Sequence, residues 1–239
     1  VTLVERSSAL GGILRFTDKD VDKQDLRDFK DLLIHEVRLR EVDVRLNTRA
    51  TAAIIAEERP DHVILAVGSS PATPPLPGIE HALPALTVYD HDVTLGKQIV
   101  MVGGGLVGCE TGLHLAKTGH EVTVVEMLAR AAAESYGMYR EALLLEMKRV
   151  GVKVLTSTRC VEITPGGIRT QQGDKPEDAP YGWLQADTVV YALGMGPNDT
   201  SALKTALGTI PFTEIGDCVR PGKVDAAVKE GFLAAMNIL

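Results

Sequence analysis

Three glycines between two apolar runs constrain the fold of this chain more than any other feature of its sequence. Gly103, Gly105 and Gly108 follow Gln98 and the apolar run Ile99–Val102 and precede a helical pattern. A second apolar run comes next and ends in Glu126. This order predicts a strand, a tight glycine loop, a helix and a second strand, which is the βαβ unit of an α/β sheet.

Each glycine of this loop has a physical reason to lack a side chain. Gly103 permits the tight turn from strand to helix, Gly105 lets the backbone approach a pyrophosphate, and Gly108 lets helix and strand pack closely. An anion at this place faces the helix N-terminus, where free N–H groups and about half a positive charge are available. The alternative is a glycine-rich turn of an ordinary α/β domain.

Glu126 lies 21 residues after Gly105, where its carboxylate can accept hydrogen bonds from both ribose hydroxyls of an adenosine. A carboxylate there repels a 2′-phosphate, which favours NADH over NADPH, although the nearby Arg130 argues in the other direction. The sequence therefore predicts a site for a nicotinamide dinucleotide. The predicted contacts are Gly103, Gly104, Gly105, Leu106, Val107, Gly108 and Glu126.

Composition excludes several other classes of protein. The chain has 239 residues, of which 45% are hydrophobic and 24% charged, close to the average for globular proteins. Its formal net charge of −7 argues against a nucleic-acid partner. The sequence has no uninterrupted apolar run of about 18 residues, so it predicts no membrane span. Cys109, Cys160 and Cys218 are scattered, which argues against a disulfide framework or a metal site within this chain and favours a reducing cytoplasm.

The remaining patterns predict further strands, helices and hairpins. Strands are predicted at Val1–Val4, Val42–Leu46, His62–Ala66, His120–Glu126, Val152–Leu155 and Thr188–Leu193, and helices at Asp22–Arg38, Glu110–Lys117, Tyr139–Val150 and Val224–Asn237. Hairpins are predicted between Cys160 and Trp183, around the polar stretch Gln171–Asp178. The proline-rich residues 71–80 favour a crossover between domains, with a boundary near residue 92.

The chain opens inside an apolar run, and this run ends in Glu5 as the later one ends in Glu126. We expect a first strand and its glycine loop upstream, so that Glu5 would belong to a second dinucleotide site whose first βα unit is missing. Gly11 and Gly12 can bring backbone near a bound ring system, and Asp217, just before a helix, can reach a polyol hydroxyl. The alternative is that Glu5 is an exposed acid at a strand end.

Several segments together resemble the flavoprotein reductases that have two dinucleotide-binding domains. These segments are Val1–Glu5 with Leu10–Gly12, Ala66–Pro71, Gly103–Glu110 with Glu126, Ala192–Gly194, and Ile215–Cys218. Asp31–Thr48 and Gly216–Gly231 are most similar to the carboxy-terminal part of the NADH:flavin oxidoreductases related to old yellow enzyme, such as 2-enoate reductase, 2,4-dienoyl-CoA reductase and trimethylamine dehydrogenase. The resemblance implies an α/β, Rossmann-like, three-layer fold in which an NAD domain is inserted in a truncated FAD domain.

The resemblance also implies domain bounds and the roles of individual residues. The FAD domain would comprise residues 1–92 and 199–239, and the inserted NAD domain residues 93–198. FAD would contact Glu5, Gly11, Gly12, Ala66, Gly68, Gly216, Asp217 and Val224, and NAD would also contact Gly194. Glu110 matches a family glutamate near the nicotinamide and the flavin; the alternative is a plain acid favoured by the helix dipole.

The activity implied by the resemblance is that of a flavin-dependent NADH oxidoreductase. Hydride would pass from NADH to FAD, and electrons would continue through a 4Fe-4S centre and FMN of an upstream (β/α)8 barrel to an activated C=C bond. Neither the barrel nor cluster ligands occur in this chain. Two alternatives stay open: a nucleotide-binding fragment without turnover, and a stand-alone NADH oxidase or ferredoxin reductase.

The cysteines separate this chain from the disulfide reductases of the same superfamily. Those enzymes carry a cysteine pair either soon after the position of Gly12 or within the NAD domain, and this chain lacks a pair at both places. Cys109 and Cys218 are therefore interpreted as packing residues, although a helix N-terminus can lower the pKa of a thiol.

Overall fold

The structure, a computed structural model, describes residues 1–90, 93–173 and 180–238. Its α-helices are α1 (Gln24–Leu39), α2 (Ala52–Glu58), α3 (Leu106–Lys117), α4 (Gly137–Arg149), α5 (Ser201–Leu207) and α6 (Val224–Met236). Its strands are β1 (Thr2–Val4), β2 (Asp43–Arg45), β3 (Val63–Leu65), β4 (Ser69–Pro71), β5 (Ala82–Pro84), β6 (Gln98–Val102), β7 (Glu121–Val125), β8 (Lys153–Leu155), β9 (Thr158–Thr164), β10 (Gly167–Gln172), β11 (Tyr181–Gln185), β12 (Thr188–Tyr191), β13 (Met195–Pro197) and β14 (Phe212–Glu214).

The chain forms two compact units, one of which interrupts the other in sequence. The discontinuous unit comprises Val1–Asp18, Lys23–Ala72 and Gly194–Leu239, and the inserted unit comprises Lys19–Asp22 and Thr73–Leu193. The predicted boundary near residue 92 falls on residues that lie outside the described ranges. Residues 73–90 belong to the inserted unit, whose sheet includes β5 as a parallel neighbour of β12.

The inserted unit is built on a parallel five-stranded sheet in the order β5-β12-β6-β7-β8. The side chains of β6 alternate between the two faces of this sheet, as they do in any strand. Ile99 and Met101 pack in a core with residues of α3 and α4, whereas Val100 and Val102 pack in a second core with Ile163 of β9. Because both faces are buried, β6 reads as an uninterrupted apolar run.

The opposite face of the parallel sheet is covered by an antiparallel sheet in the order β11-β10-β9. It supplies Ile168, which is fully buried, to the second core. The predicted hairpins between Cys160 and Trp183 are therefore present. Residues 174–179, in the predicted polar stretch, lie outside the described part of the chain. Helices, parallel sheet and antiparallel sheet are the layers of a Rossmann-like α/β fold, which confirms the predicted fold class.

The discontinuous unit contains three two-stranded sheets. β1 pairs with β2 and β3 with β14, both in parallel, and β4 pairs with β13 in antiparallel register. The chain thus leaves this unit just after β4 and re-enters it just before β13, through two adjacent strands. Short helices α2 and α5 bury Ile55 and Leu207 against Leu65 of β3.

Helix α1 has one feature that differs from its sequence pattern. Its apolar stripe includes Leu32 and Leu33, which remain exposed, whereas Lys30 is buried. The Lys30 ammonium lies 2.6 Å from Asp18 and 2.9 Å from Asp31. Burial opposes its charge, but these hydrogen bonds outweigh that effect and raise the pKa of Lys30. Along the described ranges, none of the helices combines the length and apolar character that crossing a bilayer requires.

Candidate functional site

The glycine loop joins β6 to α3 in the inserted unit, and two of its glycines are required by the backbone around them. Gly103 has φ +99°, and a Cβ added there would lie 2.4 Å from the carbonyl oxygen of Ala192. A Cβ on Gly108, in the first turn of α3, would lie 1.9 Å from the carbonyl oxygen of Gly103. The helix therefore packs on the loop and strand at a distance that only glycine allows, as the spacing predicts.

Gly105 lies at the helix N-cap and differs from the other two. The atoms closest to a Cβ there belong to the carboxylate of Glu134, whose Oε1 would be 2.9 Å away. This face of the loop is limited by the end of one flexible side chain rather than by backbone. It is the face on which a ligand's phosphates can approach the N–H groups of the first helical turn.

Glu126 follows directly on β7, and its buried carboxylate holds the loop from the other side. Its Oε2 accepts a hydrogen bond of 2.8 Å from the backbone N–H of Gly104, and its Oε1 accepts one of 2.7 Å from Leu128. A carboxylate has about four lone-pair sites, so two further donors can still be accepted. Glu126 is therefore oriented by the backbone while retaining capacity for the hydroxyls of a ribose.

The N-terminus of α3 is contacted by Glu134, a residue that the sequence does not single out. The backbone N–H of Leu106 donates a hydrogen bond of 2.5 Å to Oε1 of Glu134. Val107, the next predicted contact, is about half exposed. Glu134 has no spacing relation to the glycines that marks it, since its position depends on how residues 127–135 fold back over the loop.

Glu110, the predicted catalytic residue, lies in the second turn of α3. Its Oε1 accepts a hydrogen bond of 2.5 Å from the hydroxyl of Tyr139 on α4. Glu110 is thus oriented by a neighbouring helix. Gly194, the other predicted NAD contact, belongs to the discontinuous unit, where its carbonyl accepts a hydrogen bond from the backbone N–H of Ala72.

The predicted FAD contacts of the discontinuous unit lie at strand ends and in glycine turns. Glu5 follows β1, and its carboxylate accepts a hydrogen bond of 2.7 Å from the backbone N–H of Ser7. Gly11 and Gly12 have φ +110° and +52°, and a Cβ on Gly12 would have no atom within 4 Å. Gly68 likewise has positive φ and open space where a Cβ would lie. A Cβ on Gly11 would lie 2.9 Å from the side chain of Lys30, whereas the open turns at Gly12 and Gly68 can present backbone to a ligand and fit a bound flavin nucleotide.

Asp217 is held by two donors near the start of α6. Its Oδ2 accepts a hydrogen bond of 2.8 Å from the Ser69 hydroxyl, and its Oδ1 accepts one of 3.0 Å from the backbone N–H of Gly222. Glu230 of α6 accepts from the N–H of Gly216, at 2.6 Å. The sequence does not mark Ser69 or Glu230 as site residues, because neither contact follows from a local motif: Ser69 is 148 positions from Asp217, and Glu230 is 14 positions from Gly216, on the following helix. The two other predicted contacts are Ala66, which is exposed, and Val224, which begins α6.

The three cysteines are free thiols in the structure. Burial, followed by the nearby charge of Glu134, raises the pKa of Cys109 to about 12, and its thiol donates to the carbonyl of Gly104. Burial raises the pKa of Cys160 to about 11. A thiol with a raised pKa is a poor nucleophile at neutral pH, as expected of a packing residue.

Comparison with known proteins gives a family and several relatives. Residues 56–231 match the family described as pyridine nucleotide-disulphide oxidoreductase. Over the whole of this chain, the sequence is 34% identical to a bilirubin reductase from Mediterraneibacter gnavus and 34% identical to an NADH oxidase from Thermoanaerobacter brockii. The chain spans 37% of the length of each of these two proteins.

A solved structure of a 2-naphthoyl-CoA reductase in complex with 2-naphthoyl-CoA has the same fold. It aligns with 97% of this chain at a TM-score of 0.88 and 26% sequence identity, and the chain covers 35% of it. Together with the sequence relatives, this likeness confirms the resemblance to NADH:flavin oxidoreductases that the motifs indicate.

Proposed function

Because this chain belongs to the pyridine nucleotide-disulphide oxidoreductase family, we propose that it is the nucleotide-handling part of a flavin-dependent NADH oxidoreductase. In this proposal, the inserted unit binds NADH and the discontinuous unit binds FAD. When bound, the two groups supply hydride transfer from the nicotinamide to the flavin. The chain's own residues bind both nucleotides and keep them oriented.

The observation that carries the proposal is the pairing of Glu126 with the glycine loop. One carboxylate oxygen is 2.8 Å from the N–H of Gly104, so the ribose-binding acid and the phosphate-binding loop form one rigid unit. Two lone-pair sites of Glu126 remain for the two ribose hydroxyls, whereas a 2′-phosphate would face a fixed negative charge. The proposal therefore favours NADH over NADPH.

The proposed flavin site rests on Glu5 and Asp217. Glu5 would hold the adenosine ribose, and Asp217 the ribityl or pyrophosphate end. Since Asp217 accepts hydrogen bonds from Ser69 and Gly222, its carboxylate is already oriented before any ligand arrives. Gly12 and Gly68, with positive φ and open space, would let backbone approach the bound group.

The sheet edges of the discontinuous unit support a further strand from elsewhere in the full-length protein. Among the described residues, β1 pairs only with β2 and β3 only with β14, so each of β1 and β3 has one unpaired edge. An unpaired edge offers a row of N–H and C=O groups to another strand. A strand followed by a glycine loop would complete the proposed FAD site, as the echo between Glu5 and Glu126 predicts.

We further propose that electrons leave the flavin through the remainder of a longer protein. The chain spans about a third of its relatives, which leaves room for a barrel with FMN and a 4Fe-4S centre. The names of two of them, bilirubin reductase and 2-naphthoyl-CoA reductase, support reduction of a conjugated organic substrate such as an enoate.

The test is flavin reduction by the chain itself. The purified chain is mixed with FAD, freed of unbound flavin by gel filtration, and titrated with NADH without oxygen. Where FAD is retained, the result expected is loss of the visible flavin absorbance on addition of NADH, slowed in Glu126→Ala. Retained FAD that NADH does not bleach would contradict hydride transfer. NADH binding without FAD retention would instead support the second candidate, a nucleotide-binding fragment without turnover, which the unpaired edges of β1 and β3 favour.

A further inference from the structure

The carboxylate of Glu134 occupies the place at the N-terminus of α3 where a pyrophosphate would bind. Its Oε1 accepts the 2.5 Å hydrogen bond from Leu106 and lies 2.9 Å from the position of a Cβ on Gly105. Gly105 is the glycine whose missing side chain admits the pyrophosphate. An internal anion thus uses a donor and a space that a dinucleotide requires.

The segment that carries Glu134 is anchored to the loop by its backbone. The N–H of Ala132 donates a hydrogen bond of 2.7 Å to the carbonyl of Gly104, and the N–H of Ser135 donates one of 3.1 Å back to Ala132. Ala131 and Ala132 are buried in the core beneath α3. Ala132 has φ +47°, a left-handed conformation that is strained for an alanine. The surrounding core therefore imposes the turn that places Glu134 over the loop.

We propose that Glu134 competes with the pyrophosphate and thereby sets the affinity of the nucleotide site. This inference rests on the proposed function. The partial positive charge at a helix N-terminus attracts either anion, but two negative groups within a few ångströms repel each other. Binding of a nucleotide requires Glu134 to leave Leu106, and the exposed side chain is free to rotate into solvent without disturbing the buried alanines.

A merely structural role for Glu134 gives the opposite expectation. As a cap of α3, Glu134 would hold the loop in its binding conformation, and its removal would weaken nucleotide binding. As a competitor, its removal strengthens binding of ligands that carry a diphosphate and leaves ligands without phosphate unaffected. The two roles are therefore separated by the direction of the change and by the ligand.

The experiment measures the binding of ADP and of adenosine by calorimetry to the wild-type chain, Glu134→Gln and Glu134→Ala. Glu121→Gln is the matched control, since it removes the same charge at the opposite end of β7, where Glu121 is exposed. We expect both Glu134 variants to bind ADP about three- to tenfold more tightly, with adenosine unchanged and the control at the wild-type value.

Unchanged or weaker ADP binding in both Glu134 variants, with ADP bound by the wild type, would overturn this inference and leave the proposed function standing. Tighter ADP binding in Glu121→Gln as well would also overturn it, because the effect would then be one of overall charge. If neither the wild type nor the variants bind ADP, the proposed nucleotide site itself is wrong.

Discussion

The glycines of the loop differ in which atoms a side chain at each position would meet, so a substitution at each glycine has a different effect. Gly108 faces the carbonyl oxygen of Gly103 at 1.9 Å from an ideal Cβ, so no rotamer choice relieves the clash. Gly105 faces only the end of a side chain. A methyl group at Gly108 must therefore separate α3 from β6, whereas one at Gly105 would act mainly on a ligand.

We predict that Gly108→Ala destabilises the inserted unit by about 3 kcal/mol, because overpacking against backbone forces the helix to shift. Urea unfolding followed by circular dichroism measures the change. Gly137→Ala is the control: Gly137 begins α4, and a Cβ there meets no atom within 4 Å. Its stability should equal or slightly exceed that of the wild type. Equal stability of Gly108→Ala and the wild type would contradict the close packing of α3 on the loop.

Helices α3 and α4 are connected at their exposed ends by a small ionic network. Glu146 of α4 accepts from Arg149 at 2.7 Å and from Lys117 of α3 at 3.1 Å. The hydrogen bond from Arg149, followed by that from Lys117, lowers the pKa of Glu146 from 4.5 to about 2. A carboxyl group whose pKa is depressed by folding stabilises the protein above its unfolded pKa and loses this contribution as the pH falls through the folded value.

We predict that Glu146→Gln lowers the thermal midpoint at about pH 7 and that its difference from the wild type vanishes as the pH falls from about 4.5 to 2. Thermal melts at several pH values measure this. Glu121→Gln, whose carboxylate lies 3.9 Å from Lys97 on the surface, should follow the wild-type curve. A difference between Glu146→Gln and the wild type that persists unchanged at about pH 2 would contradict the assigned network.

The elements that the sequence predicts best are those with one strong local signal. The strand β6 has the predicted bounds, Gln98–Val102, and its apolar run Ile99–Val102 carries the signal. Helix α3 begins at Leu106 rather than at the predicted Glu110. The prediction missed the first turn because that turn contains Gly108, and glycine has a low helix propensity. Helices α2 and α5 were not predicted, since seven residues are too few to show a helical period.

Other elements depend on partners far away in the sequence. β5 ends in Pro84 and follows a proline-rich stretch, which argues against a strand. It lies at the edge of the sheet, where the N–H that a proline lacks is not needed for pairing. The same reason limits prediction of the site. Glycines and strand-end acids carry local signals, but Glu134, Ser69 and Tyr139 act through contacts that only the folded chain creates.

The whole molecule has one unit inserted into another, and each has its own candidate nucleotide site. We predict that NADH slows hydrogen exchange in residues 103–108 and 126–135 of the inserted unit, and that FAD slows it in residues 5–12, 66–71 and 216–223 of the discontinuous unit. Hydrogen-exchange mass spectrometry of the chain with each ligand separately checks this. Protection by NADH confined to the discontinuous unit would contradict the assignment of the two sites.

The central claim is that residues 103–126 bind NADH with Glu126 on the ribose, and calorimetric titration of the chain with NADH tests it most directly. The wild type should bind one NADH per chain, and Glu126→Ala, shown by its thermal midpoint to be folded, should bind at least about tenfold more weakly, since it loses charge-assisted hydrogen bonds to the ribose. Equal affinity in the two proteins, or no binding of NADH by the wild type, would contradict the account.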